Sequence, residues 1–216
     1  MSTATEHDQP VYSLPESSLA ALAGCGTVKA FPKNTILVNE GDRGDTLFVI
    51  LSGRVKIYLA DEEGKEVLLS TLGPGEYFGE IMLDDGPRSA TVMTLEPSKF
   101  AVVTRSQFKE FLALHPEAAF DVIRSLIRRV RALTRTVGNL ALLDVYGRVA
   151  KLLLELATDE GGVLVVGEHL TQQDIASRVG CSREMISRIL KDLRIGGYIR
   201  MDGERMVIAK KPPRAW

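Results

Sequence analysis

Two clusters of side chains in this chain have types and spacings that suit chemistry. In the first, Gly79-Glu80 is followed eight positions later by Arg88-Ser89. A carboxylate at Glu80 accepts hydrogen bonds from sugar hydroxyls. A guanidinium at Arg88 presents a planar fork of donors matched to phosphate oxygens. Ser89 adds a hydroxyl and a backbone N–H, and Gly79 lets the main chain approach a ligand closely. Together these groups suit the two ends of a ribose phosphate. The same spacing also fits a solvated turn with a surface ion pair. The second cluster is Arg183, Glu184 and Arg188, with Lys191 one turn further on. Arginine matches guanine O6/N7 and glutamate accepts from cytosine N4, which is the chemistry of reading base edges. A surface salt-bridge cluster is the competing reading.

The elements that must position the second cluster are legible. Thr171 caps a short helix bearing Ile175 and Val179, and Ala176 is small enough for close helix contact. Gly180 supplies a turn. Ser182 caps a second helix with an inner stripe of Ile186, Ile189, Leu190 and Leu193, so Arg183, Glu184 and Arg188 fall outside that stripe. Two short helices joined by a glycine turn make a helix-turn-helix, with an ordinary helical hairpin as the alternative. Recognition helices put their N-terminal residues into the major groove. Tyr198–Arg200 and Met206–Ile208, around Asp202-Gly203, read as a hairpin wing. Arg178, Lys191, Arg200 and Lys210 are candidates for phosphate contact. Residues 171–216 hold ten Lys/Arg against five Asp/Glu, net +5, whereas the remainder is net −6. That split suits a C-terminal part facing a polyanion, unless it is chance clustering on a solvated face.

The first cluster sits in different surroundings. Short β-prone runs at Leu47–Leu51, Val55–Leu59, Val67–Leu72, Ala90–Leu95 and Phe100–Val103 are punctuated by Gly, Pro and Asp. Such spacing predicts an antiparallel sandwich or barrel. Residues 1–13 read as loosely ordered, and a short helix is expected over Pro15–Ala23. Thr104 caps another helix with Phe108, Phe111 and Leu112 on its apolar side, and His115-Pro116 ends it.

Between the two halves runs an apolar repeat from Phe120 to Leu143. Ile123, Val130 and Val137 recur every seventh residue, with Leu126, Leu133 and Leu140 in register between them. β-Branched residues at a and Leu at d favour a parallel two-stranded coiled coil, so the helix reads as the seam of a homodimer; a core helix of a monomer is the alternative. Helical periodicity resumes over Val145–Ala157. The fold class is therefore α+β, with a sensor domain over 1–115, a dimerisation helix over 116–143 and a DNA-binding domain over 144–216.

Composition narrows the function classes. With 45% hydrophobic and 25% charged residues the chain has the make-up of an ordinary globular protein. No apolar run reaches the length of a membrane span, and Met1–Pro10 lacks the pattern of a signal peptide, so the cytoplasm is expected and no membrane partner. Cys25 and Cys181 match no metal or redox spacing, and an iron–sulfur cluster needs about four thiolates. His7, His115 and His169 have no haem-like setting. No nucleophile–base pair or metal cluster points to an enzyme, and no cofactor is expected.

The string Gly73-x-Gly75-Glu76-x-Phe78-Gly79-Glu80, followed by Pro87-Arg88-Ser89-Ala90-Thr91, resembles the phosphate-binding cassette of cyclic-nucleotide-binding domains. Gly41-Asp42 and Gly53 fall where that fold turns. Gly138-Asn139 through Asp144-Val145 is similar to the hinge of the Crp/Fnr family of transcription regulators. Cys181-Ser182-Arg183-Glu184 with Arg188–Lys191 is similar to that family's recognition helix. Residues from about 15 to 210 follow its plan.

The resemblance implies a jelly-roll β-barrel, a long dimerisation helix and a C-terminal winged helix-turn-helix. It assigns Glu80 to a ribose 2′-hydroxyl, Arg88 and Ser89 to a cyclic phosphate, and Gly79 to a backbone contact. Arg129 matches an arginine that pairs with the glutamate. Leu133 and Thr134 match two polar positions that hold adenine; Thr134 keeps a hydroxyl, whereas Leu133 loses a hydrogen bond worth about 0.5–1.5 kcal/mol. Cyclic AMP is the first expectation for the effector, with cyclic GMP, cyclic di-GMP or no ligand as alternatives. The base-reading positions imply a palindrome in double-stranded DNA with TGTGA-like half-sites, about one helical turn apart. RNA polymerase is an implied partner, although the family's polymerase-contacting loop, near Thr158–Gly162, is shorter here.

Overall fold

A computed structural model describes residues 12–64, 66–167, 170–203 and 205–212. His7, His169 and the segment Met1–Pro10 lie outside them. The chain forms two compact units, Met1–Leu133 and Thr134–Trp216.

In the first unit, α1 (Glu16–Gly24) precedes β1 (Thr27–Phe31), β2 (Ile36–Val38), β3 (Thr46–Ser52), β4 (Val55–Ala60), β5 (Glu66–Leu72) and β6 (Tyr77–Phe78). A 3₁₀ turn, Glu80–Asp84, leads to β7 (Thr91–Thr94), β8 (Ser98–Thr104), α2 (Arg105–Leu114) and α3 (Pro116–Leu142), whose last turns continue past the end of this unit. The strands make two four-stranded antiparallel sheets, in the orders β1-β8-β3-β6 and β2-β7-β4-β5. This is the double-sheet form of the expected jelly roll. The unbroken apolar runs of β3 and β8 follow from burial on both faces. Phe48, Ile50, Phe100 and Val102 fill the space between the sheets with Val55, Ile57 and Phe78. Their neighbours Leu47, Val49, Ala101 and Val103 pack with Leu22, Phe108, Phe111, Ala118 and Val122 of the helices.

Thr104 caps α2 with a full capping box through Gln107, and α3 begins at Pro116, where proline's missing N–H costs nothing. Ala118, Val122, Ser125 and Arg129 are the buried residues of α3. The expectation that residues 12 and 13 are loose is corrected. Tyr77 N donates to Tyr12 O at 3.1 Å, Ser13 forms a β-bridge with Glu76, and Arg128 Nη2 donates to Ser13 O at 2.7 Å.

In the second unit, Asp144 caps α4 (Val145–Leu156) by accepting from Gly147 N. Then come β9 (Ala157–Asp159), β10 (Leu164–Val166), α5 (Gln172–Val179), α6 (Arg183–Ile195), β11 (Ile199–Asp202) and β12 (Arg205–Ile208). The sheet order is β11-β12-β10-β9. Tyr146, Val149 and Leu153 of α4 join the apolar stripes of α5 and α6 in one core. Among the described residues no helix is long and apolar enough to cross a membrane.

Candidate functional site

The ligand cassette is built where β6 runs into the 3₁₀ turn. Gly79 makes the corner at φ 93°, a region that disfavours any side chain, and a Cβ there would lie 2.7 Å from Thr46 O. Its carbonyl accepts from Arg88 Nη1 at 2.9 Å, while Arg88 Nη2 donates to Thr46 O at 2.8 Å. The backbone of Arg88 is fixed as well, by Gly41 N and Asp42 O, each at 2.8 Å. Arg88 is 6% exposed, and among the described residues no carboxylate lies within ion-pairing distance. Burial lowers its pKa, against the opposing pull of Glu80 and Asp45. A buried cation without a counter-ion is costly, and its spare N–H donors suit an incoming anion. The solvated turn with a surface ion pair is thereby excluded.

Glu80 supplies the complementary end. One carboxylate oxygen pairs with Arg129 Nη1 at 2.5 Å, and the other, Oε2, is buried and accepts no hydrogen bond among the described residues. Such an orphaned acceptor fits a ligand hydroxyl. Arg129 is itself buried; its Nη2 donates to Tyr77 O at 3.2 Å, and its guanidinium carbon lies 4.2 Å from the Tyr12 ring centre and 4.5 Å from that of Tyr77. Burial raises the Tyr77 hydroxyl's pKa despite nearby Arg129.

The structure thus gathers Gly79, Glu80, Arg88 and Arg129. Ser89 adjoins them in the chain and is exposed. Thr134 is exposed on α3. Sequence reasoning missed Thr46, Gly44 and Tyr12. Thr46 contributes mainly a carbonyl, which leaves no trace in residue identity.

In the second unit, Thr171 and Asp174 form a capping box on α5, Gly180 turns the chain at φ 75°, and Ser182 Oγ accepts from Met185 N at 3.2 Å to start α6. Ile186, Ile189, Leu190 and Leu193 are buried, whereas Arg183, Glu184, Arg188 and Lys191 are exposed. Among the described residues these four side chains make no ion pair or hydrogen bond, which removes the salt-bridge reading. Arg148 staples the unit: Nη1 donates to Leu143 O at 2.9 Å and Nε to Val179 O at 3.1 Å.

The repeat on α3 is exposed throughout. Ile123, Leu126, Val130, Leu133, Val137 and Leu140 range from 36% to 64% exposure.

A jelly roll with an anion-and-hydroxyl cassette, in one chain with a winged helix-turn-helix, defines a ligand-sensing transcription regulator. Residues 28–115 match the cyclic nucleotide-binding domain, and residues 147–214 match the Crp-like helix-turn-helix domain. The chain is 38% identical over 198 residues to a CRP-like cAMP-activated global transcriptional regulator of Mycobacterium tuberculosis, covering 89% of this chain and 88% of that protein. It is 33% identical to the cAMP-activated global transcriptional regulator CRP of Pasteurella multocida, over 84% of this chain and 89% of that one. Among solved structures, the c-di-GMP responsive global regulator CLP of Xanthomonas campestris superposes with a TM-score of 0.74 at 25% identity, over 90% of this chain and 99% of that one. The chain belongs to the Crp/Fnr family: it is a DNA-binding transcription regulator with a cyclic-nucleotide-binding domain, not an enzyme.

Proposed function

We propose that the protein is a homodimeric regulator, controlled by cyclic AMP, that acts on a DNA palindrome with TGTGA-like half-sites. One observation carries the ligand reading: among the described residues, a buried Arg88 without a carboxylate in ion-pairing distance stands in the same cassette as a Glu80 oxygen without a donor. A cyclic phosphate answers the first, a ribose hydroxyl the second. Ser89 adds a phosphate contact. Thr134 hydrogen-bonds the base, and Arg129 pairs with Glu80. The Mycobacterium relative, cAMP-activated by name, supports the choice of nucleotide.

Two chains join along Ile123, Leu126, Val130, Leu133, Val137 and Leu140, whose exposure leaves an apolar stripe for a second copy. Residues 1–115 sense, 116–143 couple and 144–216 read DNA. Arg183, Glu184 and Arg188 contact bases, Arg178, Lys191, Arg200 and Lys210 contact phosphates, and Thr171 and Ser182 belong to the same DNA-binding surface. Nucleotide must bind the DNA-competent arrangement more tightly than the incompetent one, since only differential affinity shifts an equilibrium. The site of action is the cytoplasm, with RNA polymerase as a partner.

Cyclic di-GMP is the second reading. Leu133 cannot hydrogen-bond an adenine, and the Xanthomonas regulator of similar fold is c-di-GMP responsive by title. Calorimetry with cyclic AMP, cyclic GMP and cyclic di-GMP, paired with DNA-binding titrations in each nucleotide, tests both. Cyclic AMP should bind and raise affinity for the palindrome. DNA affinity indifferent to every nucleotide would show the β domain to be a scaffold.

A further inference from the structure

We infer that Tyr12 is a positioning residue of the ligand site, holding Arg129 on Glu80 and so setting how strongly the site prefers a ribose hydroxyl. The inference rests on the reading of Glu80 as the ribose anchor.

Three contacts place Tyr12 for this work. Its ring centre lies 4.2 Å from the Arg129 guanidinium carbon. Its carbonyl accepts from Tyr77 N at 3.1 Å, on the strand that leads directly into Gly79-Glu80. The next residue, Ser13, is held by the Glu76 bridge and by Arg128 Nη2 at 2.7 Å. Consecutive arginines of α3 therefore grip the segment in two ways: Arg128 holds its backbone, and its ring holds Arg129.

The consequence for Glu80 is geometric. Arg129 pairs with one carboxylate oxygen and leaves Oε2 as the acceptor for a ligand. A guanidinium over an aromatic face is attracted by the ring, and more strongly when water is excluded. Arg129 is 6% exposed, so the contact operates in that regime. Without the ring, Arg129 gains freedom and the orientation of the Glu80 carboxylate is less fixed. A hydroxyl would then meet an acceptor that is not preorganised, whereas the phosphate end, built by Arg88 with Gly79 and Thr46, would be untouched.

The test is calorimetric titration of cyclic AMP and its 2′-deoxy analogue into wild type, Tyr12→Phe and Tyr12→Leu, with circular dichroism confirming that each variant is folded. Wild type should prefer cyclic AMP. Tyr12→Phe should keep the preference, and Tyr12→Leu should reduce it about fivefold, mainly by weakening cyclic AMP. An unchanged preference in Tyr12→Leu overturns the inference while leaving Glu80 as the anchor. An equal loss in both variants overturns it too, by assigning the effect to the hydroxyl. A wild type that does not bind cyclic AMP, or does not distinguish the two ligands, overturns the reading of Glu80 and this inference with it.

Discussion

Gly44 leaves room for the Arg88 guanidinium: a Cβ at Gly44 would lie 2.5 Å from Nη2 and 2.7 Å from Nε. Arginine tips usually swing aside, but this one is tied to Gly79 O and Thr46 O and is buried. Gly44→Ala should therefore displace the fork from its carbonyl partners and weaken cyclic AMP binding about tenfold, without unfolding the domain. Arg88→Ala should remove measurable binding. Calorimetry reads both, and nucleotide titrations unchanged in Arg88→Ala would show that the cassette is not the phosphate site.

Arg183 is exposed at the first position of α6, directly after the Ser182 cap. Arg183→Ala should cost about 1–3 kcal/mol on the preferred site and relax selection at one guanine per half-site. Lys191→Ala should instead weaken all sequences alike and flatten the salt dependence. Binding to a randomised half-site library separates the two. An unchanged preference in Arg183→Ala would remove α6 from base reading.

Where burial writes itself into residue type, the sequence was legible. β3 and β8 stood out because both faces are packed, and α6 because its inner stripe is regular. β1 was missed because its residues are almost all exposed and show no alternation, and β6 because it is two residues long inside a glycine-rich motif. β2 is short and irregular in register. The cassette showed through Glu80 and Arg88, whose side chains carry its chemistry. Thr46 works mainly through a carbonyl and Gly44 by leaving space, and neither role constrains a motif. Tyr12 acts on Arg129 from the far end of the unit, a relation that only folding reveals.

The α3 stripe makes a claim about association. Val137 is 64% exposed in the single chain, so Val137→Asp should leave each chain folded. In a paired helix the same change sets two carboxylates against each other at one a position, where desolvation and repulsion add. Association should weaken about a hundredfold or more, and affinity for a palindrome should fall with it. Sedimentation with nucleotide and duplex both present is the measurement. A wild type that stays monomeric at every concentration would end the dimer reading.

Glu76 gives a pH dependence of defined sign. Burial raises its pKa, and this outweighs the hydrogen bonds from Gly73 and Tyr12 and the pull of Arg129. Gly73 N donates to its Oε2 at 2.8 Å. Because the folded pKa lies above the unfolded value, the native state holds the extra proton in the interval between them. Stability must therefore fall as pH rises through that interval, starting near the ordinary value of 4.5. Glu76→Gln keeps an acceptor for Gly73 N and cannot ionise, so its stability should lack this fall and exceed that of wild type at neutral pH. Urea unfolding of both proteins across the acid range reads the difference. Parallel curves would mean that Glu76 titrates alike in the folded and unfolded chains, and that the Tyr12–Glu76 corner carries no buried charge.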